Sequence, residues 1–156
     1  MDITGTPPPD AQDEAYAFSD QVGYFLRRAY QRHLAIFQAN ACDPQLTAVQ
    51  FSTLCALRDH GSQSQGQLVR VTGVDQGTIR GIVARLNERG LITQQKDATD
   101  ARKVIIGITP AGSDLLERMI PCARRTTEMT MEMLNPAERM ALLYTLRQIA
   151  RLDEPD

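Results

Sequence analysis

The stretch from Ser64 to Gly90 reads SQGQLVRVTGVDQGTIRGIVARLNERG, and its reading decides the fold. Ser64 is a strong helix N-cap, and Leu68, Val69 and Val71 give the short helix after it an inward side. Thr72-Gly73-Val74 then makes a tight turn. Asp75 caps a second helix, whose Ile79, Ile82, Val83 and Leu86 fall on one face at 3.6 residues per turn. Arg89-Gly90 ends it with a cation in the last turn and a glycine stop. A short helix, a glycine turn and a second helix form a helix-turn-helix.

Downstream, the hydrophobic period changes from 3.6 to 2. Leu91–Gln95 and Val104–Ile108 read as two strands, and the polar segment 96–103 between them as the long tip of a hairpin. A hairpin directly after a helix-turn-helix makes the winged version. Thr109-Pro110 restarts helix, and Asn135-Pro136 repeats the cap-plus-proline signal. Leu115, Leu116, Met119, Ile120 and Ala123 form the apolar face of the first of these helices, which Pro121 should kink. Met140, Leu143, Leu146, Ile149 and Ala150 line one side of the last helix.

Upstream, Thr47 caps a helix carrying Phe51, Leu54, Cys55 and Leu57, which His60-Gly61 closes. Before it, a long helix should begin at Ser19 and stop near Asn40, ahead of Asp43-Pro44. Its apolar face holds Phe18, Val22, Phe25, Leu26, Ala29, His33, Ile36 and Phe37. The first 14 residues, with Pro7-Pro8-Pro9 among small and acidic residues, read as an extended tail.

The chain has 156 residues, enough for one domain or one folding unit with a dimerisation element. Its 42% hydrophobic and 23% charged content argues against wholesale disorder. No apolar run suggests a membrane span. The acidic N-terminus resembles neither a secretory signal nor a transit peptide, so the expected location is the cytoplasm. Net charge is −2, yet residues 66–103 hold seven basic residues against four acids, which points modestly to a polyanionic partner.

These residues resemble the MarR family of bacterial transcription regulators from about Gln21 to Arg151. Leu46-Thr47 with Gln50-Phe51 resembles the opening of the family's second helix. Leu68, Thr72-Gly73-Val74-Asp75 and Thr78-Ile79 resemble its helix-turn-helix. Leu86-Asn87-Glu88-Arg89-Gly90-Leu91-Ile92 resembles the helix-to-wing junction, and Asp100-Ala101-Arg102-Lys103 the wing's acidic-x-Arg pattern. Ile108-Thr109-Pro110-Ala111-Gly112 resembles the exit from strand to helix. Gly77 and Gly81 depart from the family, which more often has side chains beside its reading face. The stretch Ser19–Phe37, with Gly23-Tyr24-Phe25-Leu26-Arg27-Arg28-Ala29-Tyr30, looks like the subgroup that represses nicotinate-degradation genes. That likeness implies a hydroxylated nicotinate such as 6-hydroxynicotinate as inducer.

The fold class expected is mainly α with a small β-hairpin, a winged helix-turn-helix with dimerisation helices from both termini. Residues 1–16 are read as a flexible tail, 17–40 and 110–152 as dimerisation helices, and 41–109 as the DNA-binding lobe. The outer helices are too apolar to cover only the winged core, so a homodimer is expected. It would set two recognition helices about one duplex turn apart, on double-stranded DNA with an inverted repeat.

On the recognition helix, Gln76 can pair with adenine, Arg80 with guanine or phosphate, and Thr78 suits a phosphate near free backbone N–H groups. Arg85 joins them, with Arg89 as an equal choice between DNA and solvent. In the wing, Arg102 can enter a minor groove, Asp100 can hold it, and the resemblance makes Lys96 and Lys103 phosphate contacts. The alternative for each is a solvated surface residue.

Arg27, Tyr30 and His33 are the unusual residues of the first helix, a cation beside aromatic and apolar side chains that suits a small aromatic carboxylate. A hydrogen-bonded core or interface role for His33 is the competing reading. Cysteine oxidation is a rival input. Cys55 sits on an apolar face, Cys42 in a loop, and Cys122 beside Arg124 and Arg125, which favour thiolate. None holds the early first-helix position expected of peroxide-sensing relatives. His33 and His60 form no metal motif, and no GxSxG, P-loop or dinucleotide fingerprint occurs, so neither an enzyme nor a cofactor is expected. A helical interaction protein without DNA binding is the remaining alternative.

Overall fold

A computed structural model of the chain describes residues 15–152. The proposed tail falls almost wholly outside them, and Ala15 and Tyr16 have no regular structure. Among the described residues, six α-helices and a three-stranded sheet make up the fold: α1 Val22–Asn40, α2 Ala48–His60, β1 Gln63–Ser64, α3 Gln65–Thr72, α4 Gln76–Glu88, β2 Ile92–Lys96, β3 Val104–Ile108, α5 Pro110–Thr130 and α6 Pro136–Ala150.

Local chemistry sets most of these boundaries. Thr47, Ser64 and Asn135 each close a reciprocal capping box, with Gln50, Gln67 and Glu138 respectively. Asp75 and Thr109 cap α4 and α5. Gly73 ends α3 at φ +69°, a left-handed conformation in which a Cβ would be strained. The α1 start departs from expectation. Ser19 lies inside a short 3-10 turn, Phe18–Asp20, and the extended Gln21 separates that turn from α1. Leu91 also falls outside its strand, because its N–H donates back to the Leu86 carbonyl and so still belongs to the end of α4. Val71 is 45% exposed and lies off the inward side of α3. Helix α5 runs unbroken through Pro121, whose missing N–H leaves the Glu117 carbonyl without its helical donor.

The sheet order is β1-β3-β2, antiparallel throughout. Ile92 pairs with Ile108 and Lys96 with Val104, the hairpin expected. The two-residue β1, which adds Gln63 and Ser64 to the other edge of β3, carries no alternation from which it could be read. Leu54, Leu57, Leu68, Ile79, Leu86, Ile106, Leu116 and Met119 form one core beneath sheet and helices. Gly112 lets α5 leave this core closely packed, since a Cβ there would strike the Leu91 carbonyl oxygen.

The outer helices differ. Helix α1 packs along α5, but within it only Phe37 is buried. Helix α6 has no buried residue, and Met140, Tyr144 and Ile149 are more than half exposed. Among the described residues, no helix is long and apolar enough to cross a membrane.

Candidate functional site

The inward face of α4 is fixed by Ile79, Ile82, Val83 and Leu86, so Gln76, Thr78, Arg80 and Arg85 are turned outward and exposed. Among the described residues, Arg80 and Arg85 join no ion pair. Gln76 donates from Nε2 to Gln65 Oε1 at 3.1 Å, which ties the start of α4 to α3. Thr78 is less free than its sequence position implied. Its backbone N–H and its hydroxyl both donate to the Asp75 carboxylate, at 2.9 and 2.6 Å. The Thr78 hydroxyl, followed by its backbone N–H, holds the Asp75 carboxyl below its ordinary range. Only acceptor capacity remains on the Thr78 hydroxyl, so it is not a ready phosphate donor.

Gly77 and Gly81 leave the α4 surface open. An added Cβ at Gly81 would meet nothing, and at Gly77 only the Asp75 carboxylate. A groove of about 260 Å³ runs here between α2 and α4, lined by Thr47, Gly77, Thr78, Gly81 and Arg85 among others.

The wing tip is built around two aspartates. Asp97 Oδ1 accepts from the Thr99 N–H and hydroxyl, both at 2.7 Å, and these hold its carboxyl below the usual range. Asp100 accepts from the Arg102 N–H at 3.1 Å and from its Nε at 3.2 Å. The Arg102 side chain is nonetheless 92% exposed, so Asp100 aims it without covering it. Lys96 and Lys103 are exposed on either side of the tip. A second groove, about 390 Å³, joins Arg102, Lys103 and Val104 to Ser64, Gln65 and Gly66 at the start of α3. Sequence periodicity holds no hint of Gln65 and Gly66 as neighbours of the wing, because β1 brings them there.

Arg89 is committed elsewhere. Its guanidinium pairs with Asp43, in the corner between α1 and α2. Burial alone would raise the Asp43 carboxyl, but the Arg89 guanidinium and the Gln45 N–H outweigh it and hold it below the usual range. The C-cap of α4 is thus tied to the end of α1, across 46 positions of chain.

Along α1, Tyr30 stacks on His33 with ring centroids 6.4 Å apart and planes 16° from parallel. His33 Nδ1 lies 2.9 Å from Thr130 Oγ1, whose own proton goes to the Thr126 carbonyl. That network assigns the proton to Nδ1 and leaves Nε2 as an acceptor in the neutral ring. Partial burial lowers the His33 pKa below 6.5, which favours the neutral form. Arg32, which the sequence did not single out, donates to the Thr130 carbonyl and pairs with Glu132, clamping α1 to the end of α5. Arg27 and Tyr30 are both exposed, and neither the α2–α4 groove nor the wing groove includes them or His33.

A helix-turn-helix with an exposed reading face, followed by a hairpin whose tip presents an arginine, defines a winged helix-turn-helix protein. The chain belongs to the MarR family. The MarR family model matches residues 46–104. The HTH-type transcriptional repressor NicR of Pseudomonas putida is 57% identical over 139 residues, which cover 89% of this chain and 88% of that protein. The structure of BpsR from Bordetella bronchiseptica, whose DNA binding is regulated by 6-hydroxynicotinic acid, is 48% identical with a TM-score of 0.82. That match covers 87% of this chain and 98% of BpsR. The transcriptional repressor CouR, bound to a 23-mer DNA duplex, is 30% identical with a TM-score of 0.76. The match covers 85% of this chain and 94% of CouR.

Proposed function

We propose that this chain is a homodimeric, sequence-specific repressor that blocks transcription from an inverted-repeat operator and is released by 6-hydroxynicotinate. The observation that carries the reading is the exposed outer face of α4, with Arg80 and Arg85 outside any ion pair, beside the Asp100-aimed Arg102. The likeness to NicR and BpsR supports both the repression and the ligand. Residues 41–109 form the DNA-binding lobe, and 17–40 with 110–152 the dimerisation helices. The protein acts in the cytoplasm, without catalysis and without a cofactor.

At the DNA, Gln76 and Arg80 read base edges, and Arg85, Lys96 and Lys103 meet phosphates. Thr78 acts through its bond to Asp75, fixing the helix start. Arg102 enters the minor groove beyond the major-groove helix. The exposed Gln76–Gln65 bond opens when Gln76 turns to a base.

At the effector site, the Arg27 guanidinium pairs with the carboxylate, Tyr30 packs on the ring, and His33 Nε2 accepts from the ring hydroxyl or N–H. The ligand releases DNA by binding more tightly to an arrangement whose recognition helices are no longer one duplex turn apart. His33 and Arg32 both fasten α1 to the end of α5, so a ligand at His33 acts where the outer helices meet.

Fluorescence anisotropy on the DNA upstream of the gene tests this. Tight binding relative to random DNA, reversed by 6-hydroxynicotinate, is expected. Arg80→Ala and Arg102→Ala should each weaken binding while leaving the fold and dimer intact. Equal affinity for random DNA would sink the proposal.

A further inference from the structure

The corner between α1 and α2 holds a second, unassigned chemistry. Cys42 is exposed there, and its Sγ lies 3.4 Å from the Arg118 carbonyl oxygen and 3.2 Å from Met119 Sδ on α5. Cys122 lies four positions beyond Arg118 and three beyond Met119, one turn along the same face of α5. The Arg118 carbonyl that Cys42 touches is the one that faces the Cys122 N–H in the helical ladder, so Cys42 sits over the turn of α5 that carries Cys122. Cys55, the third thiol, sits on α2 and packs against the core.

The neighbour of Cys42 in the chain links this pair to the recognition helix. Asp43 is the next residue, and it holds Arg89 at the C-cap of α4. The segment that carries Cys42 is thus joined to the end of the recognition helix through the Asp43–Arg89 ion pair.

We propose that Cys42 and Cys122 are a reversible dithiol–disulfide pair, and that closing it weakens operator binding by displacing the corner that carries Asp43. The oxidant is a small-molecule disulfide. The Cys42 thiolate attacks one of its sulfurs, forming a mixed disulfide and releasing one thiol. The Cys122 thiolate then attacks Cys42 Sγ, forming the Cys42–Cys122 bond and releasing the second thiol. Two protein thiols are oxidised and one disulfide is reduced, with two protons passing to the leaving thiolates.

Burial raises the Cys42 thiol above its ordinary value and the Cys122 thiol beside it raises it further, while Arg118 opposes them. Cys42 therefore rests protonated at neutral pH, and the bond closes slowly, under sustained disulfide stress instead of a brief pulse of peroxide. This input is separate from the effector residues on α1. Its effect on operator binding rests on the DNA-binding role proposed for α4 and the wing, but the bond itself does not.

The test is incubation of the full-length protein with oxidised glutathione, read by intact mass, peptide mapping and operator anisotropy. The expected product is monomeric by denaturing mass, lighter by two hydrogens, with the Cys42 and Cys122 peptides joined. Cys42→Ser and Cys122→Ser should each abolish it, and Cys55→Ser should not. Operator affinity of the closed form should fall about tenfold and return with a thiol reductant, while Cys122→Ser keeps its affinity throughout. A stable glutathione adduct at Cys42, a crosslink through Cys55 or between chains, or full operator affinity in the closed form would each overturn the proposal. If the reduced protein fails to bind operator, the DNA-binding reading fails, and the mass alone still decides the pair.

Discussion

The winged lobe and the outer helices are made of similar residues but end in different surroundings. In the lobe, Leu54, Leu68, Ile79, Leu86 and Ile106 are fully buried, and each helix start is capped by its own side chain. On the outer helices, Phe25, Tyr30, Met140, Tyr144 and Ile149 are apolar or aromatic and more than half exposed. The capping box of α6 matches those of the lobe, although α1 starts without a side-chain cap, so capping alone does not separate the two regions. The difference lies in burial. The lobe finds its apolar partners within the chain, whereas α6 and the first half of α1 leave theirs exposed, as the proposed dimer requires.

The largest effect should come from severing that second contact. Leu143→Asp with Ile149→Asp places charge on the exposed stripe of α6 and should give monomers by light scattering. A single lobe forfeits the effective concentration that links two half-sites, so operator affinity should drop roughly a hundredfold or more. The lobe should stay folded by circular dichroism. A dimer surviving both substitutions would erase the contrast between the regions.

Inside the lobe the same kind of change acts on stability. Leu54→Ala should cost about 2–5 kcal/mol of unfolding free energy, because it removes a fully buried side chain and leaves a cavity among its neighbours. That loss is measured by denaturant titration and should be independent of protein concentration.

Arg27→Ala sharpens the comparison at the outer helices. Losing a charge-assisted bond costs about 1.5–3 kcal/mol, or roughly ten- to a hundredfold in affinity. The 6-hydroxynicotinate concentration needed for release should rise by that factor, with operator affinity nearly unchanged.

The smallest expected effect is that of pH on ligand binding. The His33 pKa is lowered below 6.5 by burial, so the neutral form is the folded protein's form at pH 7. A lowered folded value means that the stability tied to neutral His33 is present above 6.5 and lost as pH falls through the folded value. The Nε2 acceptor disappears in the same window, while a carboxylate ligand stays ionised. Ligand affinity by calorimetry should be level above about pH 7 and fall a few-fold on acidification below about pH 6. His33→Gln should flatten that profile.

Legibility in the sequence followed the range of the interaction. Thr47, Ser64, Asp75, Thr109 and Asn135 act on N–H groups three residues away, and each was readable as a cap. The outward set on α4 followed from the inward set by helical period alone. The Asp75–Thr78 bond is equally local: the capping aspartate takes the Thr78 N–H and hydroxyl hydrogens at the helix start where a phosphate contact was expected. Longer-range features left no periodic trace. Arg89 met Asp43, His33 met Thr130, and Cys42 met the Cys122 face of α5 only once the helices had packed. Two-residue β1 was too short to alternate, and Ser19 lost the start of α1 to a 3-10 turn.

Two self-contained lobes made useful by shared outer helices is the central claim, and sedimentation of the protein on a labelled fragment of its own upstream DNA tests it most directly. Two chains should travel with each inverted repeat, and 6-hydroxynicotinate should release both together. One chain per repeat, or two chains that remain bound at saturating ligand, would contradict it.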